Sequence, residues 1–187
     1  MTEERTNHDV CPAGQVGLMD NIFRTWIHNP RKMFGNHVSH GMHVLDLGCG
    51  GGFTSIGMAK LVGEAGHVTS VDLQQEMLDF ARKRAHKAGV SERITFHRCG
   101  RNSIGLESEY DFAVAFYMVH EVPDRMSFLS EVHSLLKPGG RFFIAEPTHH
   151  VRKDSFEKMV KMASDIGFKI IAEPKVSFSY TVVLEKS

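Results

Sequence analysis

The sequence predicts an α/β fold in which helices cover a mostly parallel sheet. From residue 41 onward, short apolar runs rich in β-branched residues alternate with amphipathic helical stretches, a pattern typical of parallel strands joined by helical crossovers. The last two strand-like runs are separated only by residues 173–176, a connection too short for a crossover, which indicates an antiparallel hairpin. We therefore expect a three-layer sandwich whose seven-stranded, mostly parallel sheet contains an antiparallel C-terminal strand.

The individual elements follow from the same periodicities. The predicted strands cover residues 43–47, 67–72, 93–99, 111–117, 141–146, 168–172 and 177–184. The predicted helices cover residues 54–62, 74–88, 124–136 and 154–166, and a Pro-Gly-Gly turn over 137–140 ends the third of them. The residues expected to face the core from these helices are Ile56, Ala59, Lys60, Leu61, Met77, Leu78, Ala81, Ala85, Met126, Leu129, Val132 and Leu136.

The chain length predicts one domain with an N-terminal extension. At 187 residues the chain is large enough for one continuous core and too small for two α/β domains. Residues 41–187 form the predicted core and residues 1–40 a helical extension. Asn29 and Pro30 are typical of the N-cap and first position of a helix, so residues 20–38 are expected to form two short helices. These helices either cover one side of the sheet or form a lid over the active site.

Charge and composition favour a small-molecule partner. The 22 lysines and arginines balance the 22 aspartates and glutamates, so no net field attracts the protein to nucleic acid or to an anionic membrane. No apolar run approaches the roughly 20 residues that cross a bilayer, and the N-terminus lacks the apolar stretch of a signal peptide. We expect a soluble cytoplasmic protein without a metal site, since its histidines lack metal-ligand spacing. The N-terminal helical region or the edge strand is compatible with a homodimer.

A glycine-rich segment carries the strongest functional signal. The run VLDLGCGGG at residues 44–52 ends a predicted strand and precedes a predicted helix, the position at which glycines let the backbone approach a ligand closely. Phe53 stands where the dinucleotide pattern G-x-G-x-x-G requires its third glycine. Asp46 and three of the glycines instead satisfy D-x-G-x-G-x-G, which favours a loop folded around a nucleoside with an amino-acid tail.

Asp72 is the second candidate ligand-binding residue. It ends the next predicted strand, about twenty residues beyond the glycines, where a carboxylate can accept hydrogen bonds from both ribose hydroxyls. This placement suits either NAD or S-adenosylmethionine. The alternative is that Asp72 only caps the helix predicted to open at Gln74.

Four ordered motifs resemble a known enzyme family. They are VLDLGCGGG at 44–52, VDL at 71–73 followed by Met77-Leu78, YDF at 110–112 leading to VHEVPD at 119–124, and LLKPGGR at 135–141. Over residues 41–147 the chain resembles class I S-adenosylmethionine-dependent methyltransferases, in the style of the small-molecule branch that includes the ubiquinone and menaquinone biosynthesis methyltransferases. The resemblance implies a Rossmann-like sheet, S-adenosylmethionine as cofactor and a small-molecule methyl acceptor.

The resemblance also implies which residues bind the cofactor. The glycine loop is expected to contact it through its backbone, Asp46 to lie near the methionine end, and Asp72 with Leu73 to hold ribose and adenine. The residues assigned to cofactor binding are Asp46, Gly48, Cys49, Gly50, Asp72, Leu73, Gly100, Arg101 and Phe116.

The segment after the third strand departs from the family pattern. Relatives carry a glycine followed by an aspartate that recognises the adenine amino group, whereas this chain has Gly100, Arg101 and Asn102. Adenine recognition is therefore expected either from backbone groups around Gly100 and Arg101 or from the Asn102 side chain.

The candidate catalytic residues are His120 and Glu121, which follow the fourth strand. That strand lacks the N-P-P-Y signature of enzymes that methylate bases and amides. His120 has an intrinsic pKa of about 6.5, suitable for removing an acceptor proton, and Glu121 or Glu146 is placed to orient it. The alternative is that His120 only caps or packs the loop before Val122.

Other functions stay open at this point. Cys11 and Cys99 suggest a soft methyl acceptor such as a thiol or a metalloid. The alternative for Cys99 is a buried residue at the end of a strand. A nicotinamide oxidoreductase and a non-catalytic cofactor-binding sensor are the competing classes. Phe53 and the closing hairpin argue against the oxidoreductase.

Overall fold

The computed structural model describes residues 28–187, which form a seven-stranded sheet between helices. The strands are β1 (His43–Leu47), β2 (His67–Asp72), β3 (Ile94–Arg98), β4 (Tyr110–Phe116), β5 (Leu136–Pro147), β6 (Phe168–Ala172) and β7 (Ser179–Lys186). Their order in the sheet is β3-β2-β1-β4-β5-β7-β6. Strands β1 to β5 pair in parallel, and β7 lies antiparallel to both β5 and β6. The predicted α/β fold with its C-terminal antiparallel strand is confirmed.

The helices lie where the sequence predicts them. They are α1 (Pro30–Phe34), α2 (Phe53–Val62), α3 (Gln75–Lys87), α4 (Arg125–Leu135) and α5 (Lys153–Ile166). Two short 3-10 helices cover Ser91–Arg93 and Val119–Glu121. Alternate strand residues bury into two separate apolar clusters, one against α4 and α5 and the other against α1 and α2. Both faces of the sheet are therefore covered, as a parallel sheet requires.

The start of β5 is the largest difference from the predicted elements. The predicted turn at 137–140 is wrong, because β5 begins at Leu136, directly after α4, and includes these residues. Leu136 pairs with Tyr110 and Arg141 pairs with Phe112, so four residues of β5, 137–140, lie opposite a single residue of β4, Asp111. Gly139 absorbs the extra length in a left-handed conformation, at φ +74°. The Pro-Gly-Gly segment therefore forms an irregularity within the paired strand and does not separate α4 from β5.

Two helices differ from their predicted inward faces. In α2, Lys60 is exposed and Ile56 and Leu61 are only half-buried, whereas Met58 and Val62 are fully buried. The sequence of α2 is apolar or small nearly all round, so its periodicity identifies the buried face poorly.

In α4, Met126 is 44% exposed, contrary to prediction, because it lies in the first turn, ahead of the first buried residue, Leu129. The predictions for Leu129 and Val132 of α4, and for the four inward residues of α3, are confirmed.

The N-terminal extension covers the sheet in the part that is described. The side chain of Asn29 accepts hydrogen bonds from the backbone N–H groups of Arg31 and Lys32 at 3.0 and 3.4 Å, and Pro30 takes the first helical position, as predicted. Phe34 is fully buried against Phe112 and Phe143 on one face of the sheet. The first predicted helix of the extension lies outside the described residues, and a lid formed by it stays a prediction.

None of the helices within residues 28–187 has the length and apolar character that a bilayer crossing requires.

Replacing Phe34 with alanine tests how α1 is anchored. The ring is completely buried and meets Phe143 edge-on, with 5.2 Å between ring centroids. We expect Phe34→Ala to lower the free energy of unfolding by about 3–5 kcal/mol, the usual cost of removing a buried phenylalanine. The matched control, Phe178→Ala, removes a ring that is 69% exposed and is expected to change stability by less than about 0.5 kcal/mol. Equal urea midpoints for the two variants would contradict this packing.

Candidate functional site

A cavity of about 620 Å³ opens at the carboxyl ends of β1 to β4. Its volume lies within the roughly 300–1,000 Å³ of typical small-molecule sites. Strands β2 and β3 continue the sheet on one side of β1 and β4 continues it on the other, which makes this the switch point where open α/β sheets bind ligands. The predicted site residues that line the cavity are Gly48, Cys49, Gly50, Asp72, Leu73, Gly100, Arg101, Phe116 and Glu121.

The glycine loop between β1 and α2 forms the floor of the cavity and is tied to β2. The N–H of Cys49 donates to the carbonyl of Val71 at 2.9 Å, and the N–H of Gly50 donates to Oδ2 of Asp72 at 2.9 Å. Gly50 has a φ of +49°, and no atom lies within 4 Å of the position a Cβ would take. A side chain there would therefore be strained and would project into open space that the bare backbone leaves to a ligand.

Asp72 connects the glycine loop to the start of α3. Its Oδ2 accepts from Gly50, and its Oδ1 accepts from the N–H of Gln74 at 2.9 Å. The N-cap residue of α3 is Gln74, so Asp72 is not the helix cap that the alternative interpretation required. Burial raises the pKa of Asp72, and the backbone donors Gln74, Gly50 and Leu73 offset part of that rise. Each carboxylate oxygen can accept a second hydrogen bond, so Asp72 retains capacity for ligand hydroxyls.

Asp46 lies beneath the glycine loop and is not among the residues that line the cavity. The residue is 1% exposed, and its Oδ2 accepts from the hydroxyls of Thr54 and Ser55, each at 2.5 Å. Burial raises the pKa of Asp46 to about 6, against the lowering effect of these hydroxyl donors. Its contacts within the described chain join the end of β1 to the first turn of α2, and contact with the methionine end of a cofactor stays a prediction.

The two described cysteines are weak nucleophiles. Burial raises the pKa of Cys49 well above that of an ordinary thiol and raises the pKa of Cys99 to about 11. Both are therefore protonated at neutral pH, and a protonated thiol neither attacks nor binds soft centres well. No three histidine, cysteine, aspartate or glutamate side chains in residues 28–187 are grouped to hold a metal ion. Cys11 lies outside the described residues.

The segment after β3 forms one wall of the cavity. Residues 99–109 contain no helix or strand, and residues 99–104 all line the cavity. The N–H of Gly100 donates to the carbonyl of Ser103 at 3.0 Å, so this predicted adenine-binding group is already used within a turn. Arg101 and Asn102 are exposed at the tip.

The opposite wall follows the end of β4. Tyr117 has a left-handed backbone, at φ +63°, which is uncommon outside glycine, and its ring stacks on Phe116 with 4.3 Å between centroids. The phenol oxygen lies 2.6 Å from Oγ of Ser179. Met118 is also part of this wall and fills the space beside Gly48, where a Cβ would come within 2.8 Å of its side chain. Sequence reasoning did not assign Met118, because nothing in a strand-to-helix loop marks it as a partner of a distant glycine.

His120 and Glu121 occupy a 3-10 turn between β4 and α4. Glu121 lines the cavity, whereas the described cavity-lining residues do not include His120. The Nδ1 of His120 is 2.5 Å from Oε2 of Glu146, and the N–H of Val119 donates to Oε1 of Glu146 at 2.9 Å. Burial alone would lower the pKa of His120, but the hydrogen bond and charge of Glu146, together with Glu121, outweigh it and raise the pKa. Glu146 therefore orients His120.

Sequence reasoning also missed Glu131 as a cavity-lining residue. It lies on α4 among polar positions that predict only a solvated helix face, and no local motif distinguishes it from an ordinary surface glutamate.

Comparisons with known proteins agree with this geometry. Residues 38–181 match the family described as "Methyltransferase domain". The demethylmenaquinone methyltransferase of Staphylococcus saprophyticus is 28% identical over 183 residues, covering 92% of this chain and 77% of that protein. The ubiquinone biosynthesis O-methyltransferase of Aeromonas salmonicida is 35% identical over 105 residues, covering 56% of this chain and 43% of that protein.

The fold is shared with a solved methyltransferase. The crystal structure of a SAM-dependent methyltransferase from Aquifex aeolicus superposes with a TM-score of 0.85 at 24% identity, covering 94% of this chain and 99% of that one. The family match and the sequence relatives support methyl transfer over the sensor and oxidoreductase alternatives. With the family matching more than three quarters of the chain and the predicted fold confirmed, this protein belongs to the methyltransferase domain family and is an S-adenosylmethionine-dependent methyltransferase of class I.

Proposed function

We propose that this enzyme methylates a small, largely apolar acceptor inside the cavity at the carboxyl ends of β1 to β4. The observation that carries the proposal is that a single cavity contains two chemically different regions. The glycine loop and Asp72 supply polar backbone and carboxylate groups on the β1–β2 side. The end of β4, the turn before α4 and α4 itself supply aromatic and aliphatic side chains, which are Phe116, Tyr117, Met118, Val122 and Phe128.

The β1–β2 side fits the polar parts of S-adenosylmethionine. Gly50 leaves open space beside the backbone, and Asp72 keeps acceptor capacity for a pair of ribose hydroxyls. Leu73, next to Asp72, also lines the cavity and is an apolar surface for the adenine ring. Backbone contacts from Gly48 and Cys49 complete the proposed cofactor site.

The aromatic side of the cavity is proposed to hold the acceptor. When bound, S-adenosylmethionine supplies an electrophilic methyl group on a sulfonium. The chain has to align an acceptor atom with that group and exclude water, and alignment alone provides much of the acceleration of such a displacement. A small aromatic acceptor such as a quinol, the reduced form of a quinone, suits the rings of Phe116 and Tyr117. The Staphylococcus and Aeromonas relatives are named for menaquinone and ubiquinone biosynthesis, which supports this choice.

Glu121 is the residue best placed to accept a proton from the acceptor. It lines the cavity, while His120 is held behind it by Glu146. The raised pKa of His120 increases its protonated fraction near neutral pH, and a protonated imidazole cannot accept the proton of the acceptor. We propose that Glu121 is the base and His120 its positioning residue, the reverse of the order expected from the sequence. A hydroxyl or an acidic carbon is the kind of acceptor that requires such a base.

Titration and turnover test the function together. We expect isothermal calorimetry to show saturable binding of S-adenosylmethionine and S-adenosylhomocysteine but not of NAD. Mass spectrometry of reactions with catechols, demethylated quinols, a short RNA and a peptide should then find a gain of one methyl group only on the small aromatic compounds. Saturable binding of NAD alone, or methylation confined to the RNA or peptide, would refute the proposal.

Replacing Glu121 separates its role from that of His120. Glu121→Gln keeps the size of the side chain and is expected to lower kcat by about 10²-fold, because a positioned base contributes about that much or more. Its affinity for S-adenosylmethionine should stay within about twofold of wild type if the base acts only on the acceptor. His120→Gln is expected to reduce kcat less and to change its pH dependence. If His120→Gln loses more activity than Glu121→Gln, the assignment of the base is wrong.

A further inference from the structure

Glu131 on α4 binds the segment that follows β3 through four hydrogen bonds. Its Oε1 accepts from the hydroxyl of Ser103 at 2.9 Å and from the N–H groups of Ile104 and Gly105 at 2.8 and 3.0 Å. Its Oε2 accepts from the N–H of Ile104 at 2.9 Å. A carboxylate only accepts hydrogen bonds, and bonds of this kind to a charged oxygen are about twice as strong as neutral ones. One side chain therefore fixes three consecutive residues.

The segment fixed by Glu131 has little other support. Residues 99–109 form no helix or strand, and residues 101–103 are exposed. Ile104 is buried, and its carbonyl lies 2.8 Å from Nε2 of His97. The shape of this wall therefore depends on the Gly100 to Ser103 turn, the burial of Ile104 with its contact to His97, and the contacts with Glu131.

The helix that carries Glu131 packs against the core on both sides of this residue. The next residue of α4, Val132, is fully buried in the core against the sheet, as is Leu129 one turn before. The backbone of α4 at Glu131 is thus held against the sheet, and the hydrogen bonds of the carboxylate tie the segment to that helix. Both Glu131 and the residues 99–104 line the same cavity.

We propose that Glu131 is a positioning residue that holds the wall formed by residues 100–105 in the shape that receives the adenosine part of S-adenosylmethionine. The proposal rests on the proposed function, since it takes this cavity to be the cofactor site. The chain has Gly100, Arg101 and Asn102 where relatives are expected to carry a glycine followed by an adenine-recognising aspartate. With that carboxylate absent, recognition depends on the backbone and side chains of this wall being held in place, and Glu131 supplies the constraint from outside the segment.

The test compares three variants of the full chain. Glu131→Ala removes all four hydrogen bonds that the carboxylate accepts. Glu131→Gln can keep an oxygen at the position of Oε1, the atom that accepts three of the four. The matched control is Glu157→Ala on α5, whose carboxylate is 63% exposed and is paired with Lys153 at 3.6 Å. The readouts are amide hydrogen exchange at Ile104 and Gly105, the KM for S-adenosylmethionine, kcat and the Kd for S-adenosylhomocysteine.

We expect the Ile104 and Gly105 amides to exchange faster in Glu131→Ala. We also expect the KM for S-adenosylmethionine and the Kd for S-adenosylhomocysteine to rise about tenfold, the effect of a wall that keeps its binding shape about one tenth of the time. The kcat at saturating cofactor should stay within about twofold of wild type, because the loss is one of ground-state binding. Glu131→Gln should lie between Glu131→Ala and wild type, and Glu157→Ala should match wild type.

Two results would overturn the role of Glu131. The first is faster exchange in Glu131→Ala with unchanged cofactor affinity. The second is an equal fall in kcat and in folded fraction with no change in KM, which is the result of a purely structural role. Both are distinguishable from failure of the proposed function, because in that case wild type itself does not bind S-adenosylmethionine.

Discussion

The hydrogen bonds between the Asp72 carboxylate and the backbone of Gly50 and Gln74 are the interaction on which the site depends. They join the loop after β1 to the end of β2 and to the start of α3. Since the two strands run parallel and side by side, their carboxyl ends meet at one edge, and a single carboxylate can reach both. The glycine loop keeps its open shape because Asp72 holds it from one side and Met118 packs against it from the other.

The site costs the protein stability near neutral pH. Asp46 and Asp72 both have pKa values raised by burial, to about 6 for Asp46. A carboxyl whose folded pKa lies above its unfolded value of about 3.9 contributes most to stability below that value, and the contribution is lost as pH rises through the folded pKa. At neutral pH, ionisation of these buried carboxyls therefore lowers the free energy of unfolding. Residues with such perturbed pKa values are common at functional sites.

Much of the fold could be predicted from the sequence, because each early element has a local signal. Strands β1 and β2 lie at their predicted residues, since each is a short, mainly apolar run that has an aspartate at or next to its last position and is followed by a turn. The start of β5 could not be predicted, because Pro-Gly-Gly ordinarily indicates a turn between two elements. Here Leu136, ahead of that segment, already pairs with Tyr110 of β4. The exposure of Met126 could not be predicted either, because it depends on how far the first turn of α4 extends beyond the core, which the helical periodicity does not indicate.

Some of the candidate site residues could likewise be predicted from the sequence, and others could not. The glycine loop and Asp72 were predictable, because they are adjacent to strands whose ends must meet. The order of roles proposed for His120 and Glu121 was not predictable, since the proposal rests on which of these two neighbours on a 3-10 turn contacts Glu146. Glu131 was also beyond sequence reasoning, because its importance comes from contacts with residues 26 to 28 positions away along the chain.

The role of Asp72 is tested most directly by the affinity of Asp72→Asn for S-adenosylmethionine. The control is Asp79→Asn on α3, which changes a carboxylate that is 52% exposed and paired with Arg82. Asp72→Asn is expected to bind S-adenosylmethionine about 10- to 100-fold more weakly, because one or two hydrogen bonds to a charged group are lost, while Asp79→Asn binds as wild type does. Wild-type affinity in a folded Asp72→Asn variant would contradict the account.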